Sequence, residues 1–190
     1  MIEAIINGLN YRLDEENLTA EVIAMRNGYD EGYIIIPETV VLKEVAYRVT
    51  SIEYGAFNGC YSLTSIVIPD GVTSIGDWAF CWCPSLTSIV IPDSVTNIGN
   101  SAFKYCKSLT SIVIPDSVTR IGESAFANCK WLFDITISDS VTSIGDFAFE
   151  NCISLTSIVI PDSVTSIGYH AFYMCSSLTS IVIGNGVTRI

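Results

Sequence analysis

The amino-acid sequence predicts a mainly-β solenoid built as a stack of 23-residue rungs, and three observations support this. The stretch Leu63–Cys83, LTSIVIPDGVTSIGDWAFCWC, returns with its leading leucine at Leu86, Leu109, Leu132, Leu155 and Leu178. The cysteine that closes the unit keeps the same 23-residue interval through Cys60, Cys83, Cys106, Cys129, Cys152 and Cys175. Within each unit the apolar residues alternate at the two-residue period of a strand.

Residues 1–32 stand outside the repeat. Leu9–Leu13 and Leu18–Val22 each alternate apolar and polar residues, with the turn cluster Asp14–Asn17 between them, which predicts a β-hairpin. An open sheet edge and a bare core invite aggregation, so this hairpin is expected to cap the stack over residues 1–32. The solenoid then occupies 33–190. Tyr33–Pro37 aligns with Ser65–Pro69 as the first rung strand. Between Pro37 and Val49 lie nine more residues than between Pro69 and Val72. The two-residue spacing of Val41, Lys43 and Val45 makes this extra stretch a protruding loop or short hairpin. From Val49 the register is regular to Ile190, where the last rung stops with no capping sequence. That rung is read as truncated, a piece of a longer protein or an end covered by another chain. Ile181, Ile183 and Val187 are accordingly expected to support end-to-end self-association.

Each unit explains its own shape. In Leu63–Ile68 the first, fourth and sixth residues point inward, and Ser65 and Val67 point outward. Pro69 withholds a ladder donor and ends the strand. Asp70-Gly71, or Asp93-Ser94 one unit later, supplies turn chemistry. Val72 and Ile75 face inward on a second extended segment, Gly76 permits the next bend, and Ala79, Phe80 and Cys83 refill the core. This leaves no room for a long helix, so short strands and 3₁₀ turns are expected. A leucine-led repeat of this length marks a right-handed leucine-rich-repeat solenoid.

Composition narrows the function. The chain is 49% apolar and 15% charged, which excludes disorder. No apolar run approaches about 18 residues, so no membrane span is predicted, and the first residues carry no signal-peptide pattern. The net charge of −11, from 9 basic and 20 acidic residues, argues against nucleic acid or anionic membrane as a partner. Six of the seven cysteines share one inward register, so they read as packed, reduced thiols. Disulfides between adjacent rungs are the alternative that the spacing permits. Cys81 with Cys83 makes C-x-C, not the C-x-x-C of zinc and redox sites.

The pattern L-x-x-I-x-I-P, then V-x-x-I-G-x-x-A-F, then C resembles the BspA-like, or Treponema pallidum-type, leucine-rich-repeat family. The rungs from Leu63 to Cys175 follow it except at Ser138, which takes the proline place; Gly184 takes that place in the last rung. The resemblance implies a cell-surface or secreted protein, engaged in adhesion and in binding host matrix or bacterial surface proteins. It brings no catalytic motif and no cofactor.

The residues agree on the absence of catalysis. His170 is the single histidine, at a place held by Phe147 and Trp78 in other rungs, and there is no P-loop, G-x-G-x-x-G or G-x-S-x-G. The Asp column (Asp70, Asp93, Asp116, Asp139, Asp162) reads as turn chemistry, with calcium as the alternative. The unbroken column from Thr50 to Thr188 reads as a pleated, half-exposed surface, with an ice-binding ladder as the alternative. The outward face of the leucine-led strands is the candidate partner surface, through Ser111, Val113, Ser157 and Val159. One rung breaks the pattern: Lys130–Ser138 keeps every inward residue but places Trp131, Phe133, Asp134 and Thr136 outward. Large aromatics among serines and threonines look like an anchor for a protein partner. The sequence therefore predicts a non-enzymatic protein-binding, adhesin-like module. The alternative is a structural spacer that presents other domains.

Overall fold

Asn7 and Gly8, both at positive φ (50° and 83°), turn β1 (Ile2–Ile6) back onto β2 (Leu9–Asp14). A two-residue turn with both φ positive matches the twist of an antiparallel pair. Asp14 then accepts the backbone N–H groups of Glu16 and Asn17 and leads into β3 (Thr19–Val22). The computed structural model that shows this describes residues 1–24 and 32–190; part of the segment expected to cap the stack, 25–31, lies outside the described residues. The expected hairpin is β2 with β3. Strand β1, which the sequence reading missed, pairs antiparallel on its outer side.

The first rung strand, β4 (Tyr33–Ile35), pairs in parallel with Ser65–Val67, Tyr33 opposite Ser65, in the register read from sequence. The extra residues form a short antiparallel hairpin of β5 (Thr39–Leu42) and β6 (Val45–Ile52), closed by Lys43 and Glu44 at positive φ. Strand β3 lies parallel to β6, so the N-terminal strands continue one sheet of the solenoid. Leu9, Tyr11, Leu13, Ala20 and Val22 are buried in the same core as Val49 and Ile52.

Each later rung adds two short strands. They are β7 (Ser65–Val67) and β8 (Ser74–Ile75), then β9 (Ser88–Ile89) and β10 (Asn97–Ile98). Next come β11 (Ser111–Val113) and β12 (Arg120–Ile121), then β13 (Asp134–Thr136) and β14 (Ser143–Ile144). Last are β15 (Ser157–Ile160), β16 (Ser166–Ile167) and β17 (Ser180–Ile183). The even-numbered strands from β6 onward extend the N-terminal meander into one ten-stranded sheet, β1-β2-β3-β6-β8-β10-β12-β14-β16, with β5 attached to β6. Strand β4 and the odd-numbered strands from β7 onward pair in three separate groups, β4-β7-β9, β11-β13 and β15-β17; these are called the odd-numbered sheet below.

Residues 76–83 form the third side of the rung without a regular strand. The N–H groups of Trp78, Phe80 and Trp82 donate to the carbonyls of Asn100, Ala102 and Lys104 in the next rung, at 2.8–2.9 Å. The expected 3₁₀ turns appear as single i→i−3 bonds, Ala79 to Gly76 and Cys81 to Trp78. They stay single because Trp78 (φ 61°) and Trp82 (φ 59°) sit in the left-handed region. The same two places recur down the stack; Gly55 and Gly59 fill them in the first rung, and His170 and Met174 in a later one.

Inside, Phe57, Phe80, Phe103, Phe126, Phe149 and Phe172 form one stack, with centroids 5.2–5.5 Å apart and planes within 7°. The cysteine column runs beside it. Each thiol from Cys83 to Cys175 donates to the phenylalanine carbonyl of the preceding rung at 3.1–3.2 Å. None of the seven cysteines is in a disulfide. Burial pushes the Cys106, Cys129 and Cys152 thiols up, and Cys81 and Cys175 up to about 11.

Two devices hold the even-numbered sheet in step. At Gly99 an added Cβ would lie 2.4 Å from the Asp77 amide nitrogen, and at Gly145 2.7 Å from that of Glu123. Only glycine lets the backbones of successive rungs come this close. The threonine column donates twice across five of its steps. Both the N–H and the hydroxyl of Thr96 reach the Thr73 carbonyl, at 2.9 and 3.2 Å. Thr73, Thr142, Thr165 and Thr188 repeat the arrangement. In the last rung Ile181 and Ile183 are exposed, whereas Ile158 and Ile160 one rung earlier are buried.

Candidate functional site

A strand residue that alternates with buried isoleucines must face solvent, and the odd-numbered strands show this from β7 to β15. Ile112, Ile135 and Ile158 are buried, while Val113 and Val159 are exposed. Strands β11 and β13 are in register, which sets Ser111 beside Asp134 and Val113 beside Thr136. Ser157 and Val159 lie on β15, which pairs with β17 and forms no ladder with β13. Six of the candidate residues therefore lie on two adjoining patches of one face.

Trp131 and Phe133 precede β13. Leu132 between them is fully buried, and the two aromatics are 65% and 54% exposed, the outward orientation expected from sequence. Their backbones are tied to the previous rung, Trp131 N–H to the Lys107 carbonyl at 3.2 Å and Phe133 N–H to that of Thr110 at 3.1 Å. Phe133 stands in a second threonine column, where Thr110 donates its hydroxyl to Thr87 and Thr179 to Thr156. The phenyl ring gives up that bond and adds exposed apolar area. Ser138, in the proline place, recovers a bond by donating to the Pro115 carbonyl at 3.1 Å.

The structure adds surface features that the sequence reading missed. Trp82 and Tyr105 stack at 4.0 Å between centroids, with Lys107 Nζ 5.6 Å above the indole and Lys104 Nζ 5.8 Å above the phenol. His170 lies 3.8 Å from Tyr169 and 4.7 Å from Tyr173, between rings. A third set spans rungs from side chain to backbone: Asp77 accepts the Asn100 N–H at 2.6 Å, and Asp146 the Tyr169 N–H at 2.7 Å. Reading the sequence down columns 23 residues apart, Trp82 above Tyr105 and Asp77 above Asn100, exposes the signal for two of the three. The Asp column stays at the exposed turns, where Asp162 accepts the Asn185 N–H at 2.7 Å.

Comparison with known proteins matches this geometry to one family. The model for the BspA type leucine-rich-repeat region matches six copies, over residues 39–133 and 96–190. The chain belongs to the BspA-type leucine-rich-repeat family. This BspA-type array is 31% identical over 97% of its length to a leucine-rich-repeat protein of Bacteroides ovatus, with a TM-score of 0.77. It is 32% identical over 95% of its length to a leucine-rich cell surface protein of Faecalibacterium prausnitzii, TM-score 0.72. It spans 54% of each of those two chains. With the leucine-rich-repeat protein of T. pallidum it shares 29% identity over 95% of its length and 82% of that chain, TM-score 0.84. No curated protein sequence matches it. BspA-type arrays are non-catalytic repeats, and leucine-rich-repeat proteins are protein-interaction modules. No helix among the described residues is long and apolar enough to cross a membrane.

Proposed function

We propose that the chain is a non-enzymatic protein-binding module, adhesin-like in character, within a cell-surface protein. The observation that carries the reading is the irregular rung. It keeps Leu132, Ile135 and Ile137 buried while it exposes Trp131 and Phe133, so its departures affect the surface and leave the core as it is. Rigid aromatics supply large contact area at small entropic cost, which is why they dominate interface energetics. Asp134 and Thr136 add polar contacts beside them. Ser111, Val113, Ser157 and Val159 form the flatter rim. The cell-surface placement draws on the Faecalibacterium relative, itself a leucine-rich cell surface protein. Partners of this kind are host matrix or bacterial surface proteins.

The test is surface plasmon resonance of the native chain and of a Trp131→Ser, Phe133→Thr double variant against purified matrix and bacterial surface proteins. A saturable partner whose binding the double variant loses supports the reading. A spacer that only presents other domains predicts no saturable partner, or affinity indifferent to the face.

A further inference from the structure

We infer that the partner is an acidic protein segment, and that it is received at a basic-aromatic corner running from Trp82 to Trp131. This rests on the protein-binding reading above and names the chemistry of its partner. The corner has six members: Trp82, Lys104, Tyr105, Lys107, Lys130 and Trp131. Three of the chain's four lysines are among them. Lys107 and Lys130 hold the same place in successive rungs, which sets them roughly 5 Å apart along the stack at the backbone. The Trp131 N–H is bonded to the Lys107 carbonyl, so the corner is continuous with the aromatic anchor of the irregular rung.

Charge argues for the occupant. Residues 101–131 carry four basic and two acidic side chains, while the rest of the chain carries five basic and eighteen acidic. An anionic partner is therefore repelled by most of the molecule and attracted at this one corner, which fixes where it lands. The lysines are uncommitted to carboxylates, since none of the three forms an ion pair among the described residues. Two of them rest instead over the Trp82 and Tyr105 rings, a weak contact that leaves hydrogen-bond donors for an incoming carboxylate. Exposed Trp131, Trp82 and Phe133 give apolar side chains of the same segment a surface to lie on.

The probe is a dye-labelled peptide of alternating Glu and Tyr, followed by fluorescence anisotropy and by quenching of the tryptophans. Its controls are the Gln-Tyr peptide and polyglucuronate, an acidic glycan. The native chain is expected to bind the Glu-Tyr peptide and not the Gln-Tyr peptide. Its affinity should fall as salt rises from about 0.01 M to about 1 M, a range that shortens the screening length from about 30 Å to about 3 Å. A Lys104→Gln, Lys107→Gln, Lys130→Gln variant should bind about tenfold more weakly. Exposed Lys130→Gln alone, which leaves the ring contacts in place, should still weaken binding. Equal binding of the Glu-Tyr peptide by native and variant chains overturns the inference. Tighter lysine-dependent binding of polyglucuronate than of the peptide overturns it in favour of a glycan. A Phe133→Thr variant, which leaves all six corner residues in place, separates the two readings. Lysine-dependent binding that survives it leaves the corner standing and removes the anchor, while the reverse pattern removes the corner.

Discussion

Along the even-numbered strands successive rungs meet backbone to backbone; along the odd-numbered strands their outward side chains meet water. Gly99, Gly122, Gly145 and Gly168 leave no space for a methyl group, and the threonines beside them spend hydroxyl and amide on the same carbonyl. That sheet is unbroken from β1 to β16. The odd-numbered sheet divides into three groups, and it alone carries the replacements Phe133, Asp134 and Thr136. The same 23 residues thus hold a side that fixes the spacing of the stack and a side free to take up new chemistry.

The strongest test of that contrast pairs one change on each side of the rung. Gly99→Ala forces two rungs apart and should cost about 3 kcal/mol in urea unfolding. Val90→Ser, at a residue 79% exposed just after β9 on the other side of the rung, should stay within about 0.5 kcal/mol. A tolerated Gly99→Ala would erase the distinction.

Next in size is a pH effect on the inter-rung thiols. Their folded values are raised, so below the unfolded thiol value of about 8.5 both states hold the proton and the stabilisation is complete. Above it the unfolded chain ionises first and stability falls, continuing through about 11 for Cys81 and Cys175. Urea midpoints should drop from pH 8.5 upward, and the thiols should react slowly with a disulfide reagent until denaturant is added. Fast native titration of six thiols would contradict their place in the core.

Smaller still, Thr96→Val keeps the shape and the amide bond but removes the hydroxyl bond to Thr73, a loss of about 0.5–1 kcal/mol by thermal or urea unfolding. The smallest effect on stability belongs to Trp131→Ser with Phe133→Thr, within about 0.5 kcal/mol by melting curve. The same variant should lose about 2 kcal/mol of partner affinity, roughly thirtyfold. A large drop in melting temperature would show the two aromatics to be part of the fold.

Much of this architecture was legible because repetition turns one local rule into a global one. The inward places of LTSIVI and VTSI, the Tyr33 to Ser65 register and the hairpin after Pro37 follow from period and alternation alone. Strand β1 was missed although Asn7-Gly8 is a strong hairpin turn, because Ile2–Ile6 lacks clear alternation. The left-handed places at Trp78, Trp82 and Phe147 were not legible from those residues, since Trp and Phe have no preference for positive φ; the residues that tolerate it, Gly55 and His170 at one place and Gly59, Asn128 and Asn151 at the other, are scattered among them. The outward orientation of Trp131 and Phe133 was readable from the buried Leu132 and Ile135 around them. The Trp82–Tyr105 stack was overlooked although the 23-residue column aligns the two residues, because they meet across rungs outside the regular strands.

The ladders between rungs, whether they donate backward from Thr96 or forward from Trp78, run parallel to the axis of the stack. Tension applied to the two ends therefore pulls along the bonds between one rung and the next, and the weakest step yields while the others hold. A released rung exchanges a rise of about 4.8 Å for the contour of 23 residues, about 75–80 Å at full extension. Stretching in an optical trap should give a sawtooth with that spacing. A stack built in this way should lengthen in steps under load and shorten again in steps when the load passes.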